Sequence, residues 1–167
     1  MCRRIGYLKQ YLSAVWLSVL VGFAGAAEYQ AGPEDYRSIL PRLVAGDRLS
    51  LSAGDYRQGL PLHRISGEPG RLILIEGPPQ GPGARFIARK GANTVSLVDV
   101  SYLHIRNLEL DGNNLPVDAV KAEGHARFAH FVTLENLNIH DHASSQQNVG
   151  ISTKCPALGW VIRGNRI

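Results

Sequence analysis

The chain has few cysteines, little net charge outside its N-terminus and no long uninterrupted apolar run. Its two cysteines are Cys2 and Cys155, and loss of an N-terminal leader would leave Cys155 alone, which excludes an intramolecular disulfide. The chain carries 18 basic and 14 acidic residues, but Arg3, Arg4 and Lys9 lie in the first 27 residues, where there is no acidic residue. The remainder is close to neutral, which argues against nucleic acid as a partner.

The first 27 residues have the pattern of a secretory signal peptide. Basic residues come first, a mostly apolar stretch occupies 11–23, and small residues at 24–27 precede Glu28, which is the order of regions in such a leader. The apolar stretch is shorter than the roughly 20 residues that a membrane span needs. We therefore expect a secreted or periplasmic protein with one mature domain, residues 28–167, and no membrane span after the leader is removed.

Three stretches of the sequence repeat one pattern. Residues 103–110 and 132–139 are 29 positions apart, and residues 160–167 follow 28 positions later. Apolar and polar residues alternate within each copy, which predicts short strands. A fixed period of this size predicts a solenoid, in which each rung buries its apolar face against the next.

The expected fold class is all-β, a right-handed parallel β-helix with a short N-terminal capping helix, C-terminally incomplete because the third repeat copy runs up to Ile167. The capping helix is predicted at 33–44, and the apolar run at 72–75 predicts a strand buried on both faces. Asn107 and Asn136 should stack at a bend. Four apolar pairs should stack in the interior: Leu103/Val132, Ile105/Leu134, Leu108/Leu137 and Leu110/Ile139.

Residues 43–57 resemble the opening of secreted right-handed β-helix proteins with the pectin-lyase fold. A Gly-Asp turn, a short strand and a Gly-x-Tyr turn begin the first rung of those proteins, and Gly46-Asp47 and Gly54-Asp55-Tyr56 are similar to these turns. Over residues 36–167 the chain looks most like alginate and chondroitin lyases of the chondroitinase B type. The resemblance implies an anionic extracellular polysaccharide as the partner and uronate β-elimination as the reaction.

The same resemblance implies catalytic residues. A lysine that follows an Ile-Ser-Val-Lys strand is the base in those lyases, and the segment ending in Lys154, Ile-Ser-Thr-Lys, is similar to it. Lys121 holds a comparable place one rung earlier, where a second ammonium would lower the pKa of the first. We expect Lys154 as base, with Lys121 or Arg127 neutralising the substrate carboxylate. The alternative is that both lysines are solvated residues at the rim.

Metal binding has weaker support in the sequence. The resemblance implies calcium, but Gln146, Gln147, Asn148 and Val149 occupy the positions where acidic ligands are expected. No calcium ligand is therefore identified, and no cofactor is expected. His140, Asp141 and His142, with His125 and His130 ahead of the same long strand, form a second polar cluster that could bind a metal or form an ordinary polar loop.

Three aromatic residues, Tyr102, Phe131 and Trp160, recur at intervals of 29. This spacing favours a stacked ladder in or beside the core over a sugar-binding surface. It differs by one residue from the offset that aligns the third repeat copy, so the register of the last strand stays open.

Three functions are compatible with these patterns. The first is a polysaccharide lyase, and the second is a non-catalytic surface or carbohydrate-binding solenoid. The third is a glycoside hydrolase, which needs paired carboxylates on adjacent rungs. Asp111 and Asp141 are the best candidates for such a pair.

Overall fold

A computed structural model describes residues 25–143 and 149–167 of the chain. Most of the predicted leader lies outside these described residues. Positions 146–148, where acidic calcium ligands were expected, also lie outside them. The elements follow in the order β1 (Glu28–Ala31), α1 (Tyr36–Ile39), a 3-10 turn (Leu40–Arg42), β2 (Arg48–Leu51), β3 (Gly54–Tyr56), β4 (Leu60–His63), β5 (Ile73–Glu76), β6 (Ala84–Ile87), β7 (Val95–Val98), β8 (Val100–Arg106), β9 (Leu108–Asp111), β10 (Val120–Glu123), β11 (Ala129–Glu135), β12 (Asn138–His140), β13 (Ile151–Thr153) and β14 (Val161–Arg163).

The strands form three parallel sheets. Sheet I has the order β1-β2-β5-β8-β11-β14, sheet II β3-β6-β9-β12 and sheet III β4-β7-β10-β13. The chain passes from sheet I to sheet II to sheet III and then returns to sheet I one rung later. About four turns of a right-handed parallel β-helix result, and the predicted fold class is confirmed. No helix in the described part of the chain is long and apolar enough to span a membrane.

The predicted stacking of the repeat copies is confirmed in the core. Three of the predicted pairs are directly opposed on adjacent rungs: Leu103/Val132, Ile105/Leu134 and Leu110/Ile139. Leu108 and Leu137, next to the bends, are also buried. Burial of each such side chain stabilises the fold by roughly 1.5–3 kcal/mol relative to an exposed one. A rung obtains this stabilisation only when it stacks on its neighbours.

Each long repeat copy consists of two strands rather than one. The chain turns at Asn107 and Asn136, which stack as predicted and have φ values of 56° and 52°. Asparagine tolerates this left-handed conformation better than most residues. The third copy follows at an offset of 28, because Thr133 of β11 is paired with Val161 of β14.

The capping helix is shorter than predicted. Helix α1 has four residues and passes into a 3-10 turn that contains Pro41, because proline has no N–H for a continuing α-helix. Tyr36 nevertheless covers the first rung: its ring packs edge-on against Tyr56, with centroids 5.1 Å apart, and its hydroxyl donates to the Gly59 carbonyl at 2.5 Å. Strand β1, which extends sheet I, was not predicted.

The apolar run at 72–75 is buried on one face only, so this expectation was wrong. Ile73 and Ile75 are fully buried, whereas Leu72 is 39% exposed and Leu74 is half-buried on the outer face. The outer faces of the three sheets are open to solvent, unlike those of a sheet that is covered by helices on both sides.

Candidate functional site

The outer face of sheet III carries the two lysines that the sequence singled out. Lys121 lies on β10 opposite Ser96 of β7 and Ser152 of β13, and Lys154 directly follows β13. Continuing this register places Lys154 beside Glu123, so the two lysines are diagonal neighbours on adjacent rungs. The structure thus places Lys121 and Lys154 near each other, although the residue directly opposite Lys154 is Glu123, two positions after Lys121.

Glu123 is the ion-pair partner of Lys121. Its carboxylate accepts a hydrogen bond from Lys121 Nζ at 3.1 Å, and this bond is the main cause that raises the pKa of Lys121 above its usual value. The proximity of Lys154 also contributes to the raised pKa of Lys121. At Lys121 the carboxylate outweighs the neighbouring ammonium, and the expectation that Lys154 acts as the base stays a prediction.

Further polar groups lie on this face toward the N-terminal rungs. His63 Nε2 and Ser96 Oγ are 3.0 Å apart, and burial, followed by the charge of Arg64, lowers the pKa of His63. Arg37 and His63 line one cavity of about 280 Å³, and Arg89 lines a neighbouring cavity of about 240 Å³. The surface named here the lysine face comprises Arg37, His63, Arg89, Ser96, Lys121, Glu123 and Lys154.

Arg127 lies at the corner where the chain passes from sheet III back to sheet I. The Oδ1 atom of Asp99 accepts hydrogen bonds from the backbone N–H groups of residues 125–128, at 2.9–3.2 Å. These bonds, with that of Arg127 the largest contribution, hold the pKa of Asp99 well below its usual range. Asp99 therefore stays ionised and fixes the loop that carries Arg127.

Arg127 lines a cleft of about 590 Å³ together with Arg64 and Arg71. Arg71 is 3.3 Å from the Glu68 carboxylate and donates to the Ala45 carbonyl at 2.7 Å. Within residues 25–143 and 149–167, neither Arg64 nor Arg127 forms an ion pair. The arginine cleft is defined here as Arg64, Ser66, Glu68, Arg71 and Arg127.

Two of the three aromatic residues stack on the surface. The rings of Tyr102 and Phe131 have centroids 4.6 Å apart and planes at 10°, and Phe131 is 37% exposed. Trp160 does not extend this stack, because the register offset of 28 places Gly159 over the ring of Phe131. Its indole N–H donates to the Ala129 carbonyl at 2.8 Å, and its ring packs against the core.

Sheet II brings together Asp111, His140 and Asp141. One potential ligand atom of each lies within 4.8 Å of the others. His140 Nδ1 is 2.8 Å from Asp141 Oδ2, and its Nε2 is 3.1 Å from Glu109 Oε1. The hydrogen bond with Asp141, followed by that with Glu109, raises the pKa of His140 despite its partial burial.

This group does not fit calcium. Calcium takes roughly six to eight oxygen ligands, whereas these residues offer two carboxylates and an imidazole whose nitrogens are both hydrogen-bonded. Arg85 lies 3.2 Å from Asp111 and adds positive charge where a cation would bind. His142, also predicted here, instead hydrogen-bonds the Val117 carbonyl at 3.0 Å.

Three residues of these surfaces were not predicted from the sequence: Arg64, Arg71 and Glu123, the partner of Lys121. Arg64 and Arg127 lie two rungs apart, and only the stacking of the rungs shows that they share a corner. A usable signal existed, because each arginine comes shortly after a strand of sheet III, Arg64 directly after β4 and Arg127 four residues after β10.

Comparisons with known proteins support the fold. No protein-family model matches the chain, and no curated protein matches it. A solved structure described as a mannuronic acid specific polysaccharide family 6 lyase from human gut microbiota is similar, with a TM-score of 0.51 and 18% identity over 69% of this chain and 26% of that structure. This chain thus spans about a quarter of that enzyme and shares its β-helix fold.

Proposed function

We propose that this chain is an exported β-helix domain that acts on an anionic polysaccharide bound along the lysine face. The observation that carries the proposal is the position of Lys121 and Lys154 as diagonal neighbours on adjacent rungs of sheet III. Glu123 is the one carboxylate of that face, against the cations of Arg37, Arg89 and the two lysines. Adjacent rungs are about 4.8 Å apart, so the positive groups recur along the axis in the way that carboxylates recur along a polyuronate.

The reaction that we propose is β-elimination at a uronate. Lys154 Nζ takes the proton from the carbon that bears the carboxylate, and the electron pair of that C–H bond forms the new ring double bond. The bond from the adjacent carbon to the glycosidic oxygen breaks, and that oxygen leaves with its electron pair and takes up a proton from water, whose hydroxide then removes the proton that Lys154 has gained. The Lys121 ammonium pairs with the substrate carboxylate and stabilises the carbanion.

Glycoside hydrolysis is the second candidate, because Asp111 and Asp141 meet on adjacent rungs of sheet II. Potential ligand atoms of the two carboxylates lie within 4.8 Å of each other, close to the separation of about 5–5.5 Å in retaining glycosidases. One carboxylate would act as nucleophile and the other as acid and base. Hydrolysis releases a reducing end without forming a double bond, which separates it from elimination.

The test is incubation of the chain with alginate, chondroitin and pectate, with ultraviolet absorbance reporting the conjugated double bond and a reducing-end assay reporting every cleavage. Elimination raises both signals, and Lys154→Ala should abolish them, whereas the matched control Ser152→Ala on the same strand should keep them. Circular dichroism checks that both variants fold.

Three other results would contradict the elimination proposal. Reducing ends without absorbance, lost in Asp111→Asn, would indicate hydrolysis. Binding without cleavage would indicate a non-catalytic carbohydrate-binding solenoid. Neither binding nor cleavage of any of the three polymers would reject an anionic polysaccharide as the partner.

A further inference from the structure

The arginine cleft and the stacked aromatic rings belong to one surface at the corner between sheets III and I. Ser66 of the cleft forms a β-bridge with Ser101, and Ser101 is paired with His130 on the next rung. Tyr102 and Phe131 follow these two residues directly. The polar groups of three rungs therefore form a row, with the aromatic stack on one side and the arginines on the other.

The backbone is distorted to present the two rings. Tyr102 and Phe131 have φ values of 53° and 52°, a conformation that is rare for bulky side chains and costs of the order of 1–3 kcal/mol for each residue. Both positions are skipped in the pairing of β8 with β11, which resumes at Leu103 and Val132. The positive φ breaks the alternation of inward and outward side chains, so that two successive residues, Ser101 and Tyr102, are both off the buried face.

Among the residues that the structure describes, the charges of the cleft are not balanced. Three guanidinium groups face one carboxylate, Glu68, and that carboxylate is bound to Arg71. Arg64 and Arg127 keep their donors for a ligand, and a guanidinium binds a carboxylate or a sulfate through two parallel hydrogen bonds. Asp99 holds the Arg127 loop in place before any ligand arrives, which lowers the entropic cost of binding.

We infer that this corner is a subsite for one acidic sugar of the polysaccharide, separate from the lysine face. The apolar face of a pyranose ring packs against the exposed edges of the Tyr102 and Phe131 rings, while Arg64 and Arg127 bind its carboxylate or sulfate. The charge selects an acidic ligand, and the exposed aromatic carbon selects a ligand with an apolar face. The inference rests on the proposed function and names a second place where the polymer is held.

Three double variants of the chain test the subsite. The stack variant, Tyr102→Asn/Phe131→Asn, removes both rings and keeps a residue type that accepts positive φ. The cleft variant is Arg64→Gln/Arg127→Gln. The control, Arg57→Gln/Arg166→Gln, removes the same charge from exposed arginines elsewhere. Lys121→Gln/Lys154→Gln is measured in parallel, and thermal unfolding checks each variant.

The readout is calorimetric binding of alginate and chondroitin oligosaccharides, with dextran as a neutral probe and polyglutamate as an acidic probe without sugar. The cleft variant should weaken binding about tenfold or more, the loss expected for one charge-assisted contact. The stack variant should weaken it about two- to tenfold, the loss expected for an aromatic contact. The control should bind as the unmodified chain does. Dextran and polyglutamate should both bind much more weakly than the oligosaccharides.

The outcomes separate this inference from the proposed function. If the unmodified chain binds and only the lysine variant weakens binding, the corner subsite is overturned and the proposed function stands. Polyglutamate binding equal to that of alginate would overturn the sugar as the ligand. If the unmodified chain binds no acidic oligosaccharide, both are overturned. If the stack variant does not fold, the cleft variant decides the question alone, because Arg64 and Arg127 make no ion pair within the described residues.

Discussion

The outer face of sheet I and the surface formed by the lysine face and the arginine cleft use charge in opposite ways. On sheet I, opposite charges alternate from rung to rung. Glu76 accepts hydrogen bonds from Arg48 Nε at 2.6 Å and Arg106 Nε at 2.8 Å. Two rungs after Glu76, Glu135 lies 2.7 Å from His104 Nε2 and 3.0 Å from Arg163 Nε. These charges satisfy each other and tie consecutive rungs together.

On the second surface, formed by the lysine face and the arginine cleft, some positive charges have no carboxylate partner among the described residues. Glu123 is paired with Lys121, but within the described residues Lys154, Arg64 and Arg127 have no carboxylate partner. The same stacked scaffold thus supports a face where the charges serve stability and a face where they are available to a ligand. The predictions below test this division, beginning with the largest effect.

Removing a carboxylate should lower the free energy of unfolding much more on sheet I than on sheet III. Glu76→Ala leaves two guanidinium groups beside a site that is 8% exposed, and we expect a loss of about 3 kcal/mol in the free energy of unfolding. Glu123→Ala removes a carboxylate that is 38% exposed and should cost less than about 1 kcal/mol. Urea denaturation measures both, and equal losses would remove the distinction between the two faces.

The Glu76 carboxylate should also determine how the stability of the fold falls at acid pH. Burial acts to raise the pKa of Glu76, but hydrogen bonds from Arg106 and Arg48 outweigh it, so that the folded-state pKa lies below the ordinary value of 4.5. Stability from this group is therefore complete above about pH 4.5 and is lost as the pH falls through the lower folded-state pKa. Denaturation at a series of pH values should show a steeper acid loss for the unmodified chain than for Glu76→Ala; parallel curves would contradict this.

Sheet II should show the opposite pH dependence, with a smaller effect. The raised pKa of His140 means that its pairing with Asp141 and Glu109 stabilises the fold fully below the ordinary value of 6.5 and is lost as the pH rises through the folded-state pKa. His140→Gln should therefore be less stable than the unmodified chain at mildly acidic pH and equally stable at alkaline pH. A stability difference that is independent of pH would indicate that His140 contributes by packing alone.

The fold was predictable because its signals repeat. The 29-residue offset placed Leu103 on Val132 and Ile105 on Leu134, and asparagine at the bends carries its own conformational preference. The capping helix was overestimated because Pro41 converts its second half into a 3-10 turn. The run at 72–75 was misjudged because a single apolar stretch does not show which of its faces is covered.

The candidate site was only partly predictable. Lys121 and Lys154 could be paired because each follows the repeat at a similar place. The conformations of Tyr102 and Phe131 could not be predicted, since positive φ values are a property of glycine and asparagine and no local signal marks them in aromatic residues. The approach of Arg64 to Arg127 depends on two rungs of stacking, and Glu123 became visible as a partner only when the register was known.

Hydroxyl-radical footprinting with and without an alginate oligosaccharide tests most directly the division of charge between binding and stability. The account predicts that the ligand protects Tyr102 and Phe131, and peptides of the lysine face, from oxidation, while Leu74 and Val161 on the outer face of sheet I stay as reactive as before. Protection of Leu74 and Val161, with Tyr102 and Phe131 unchanged, would contradict it.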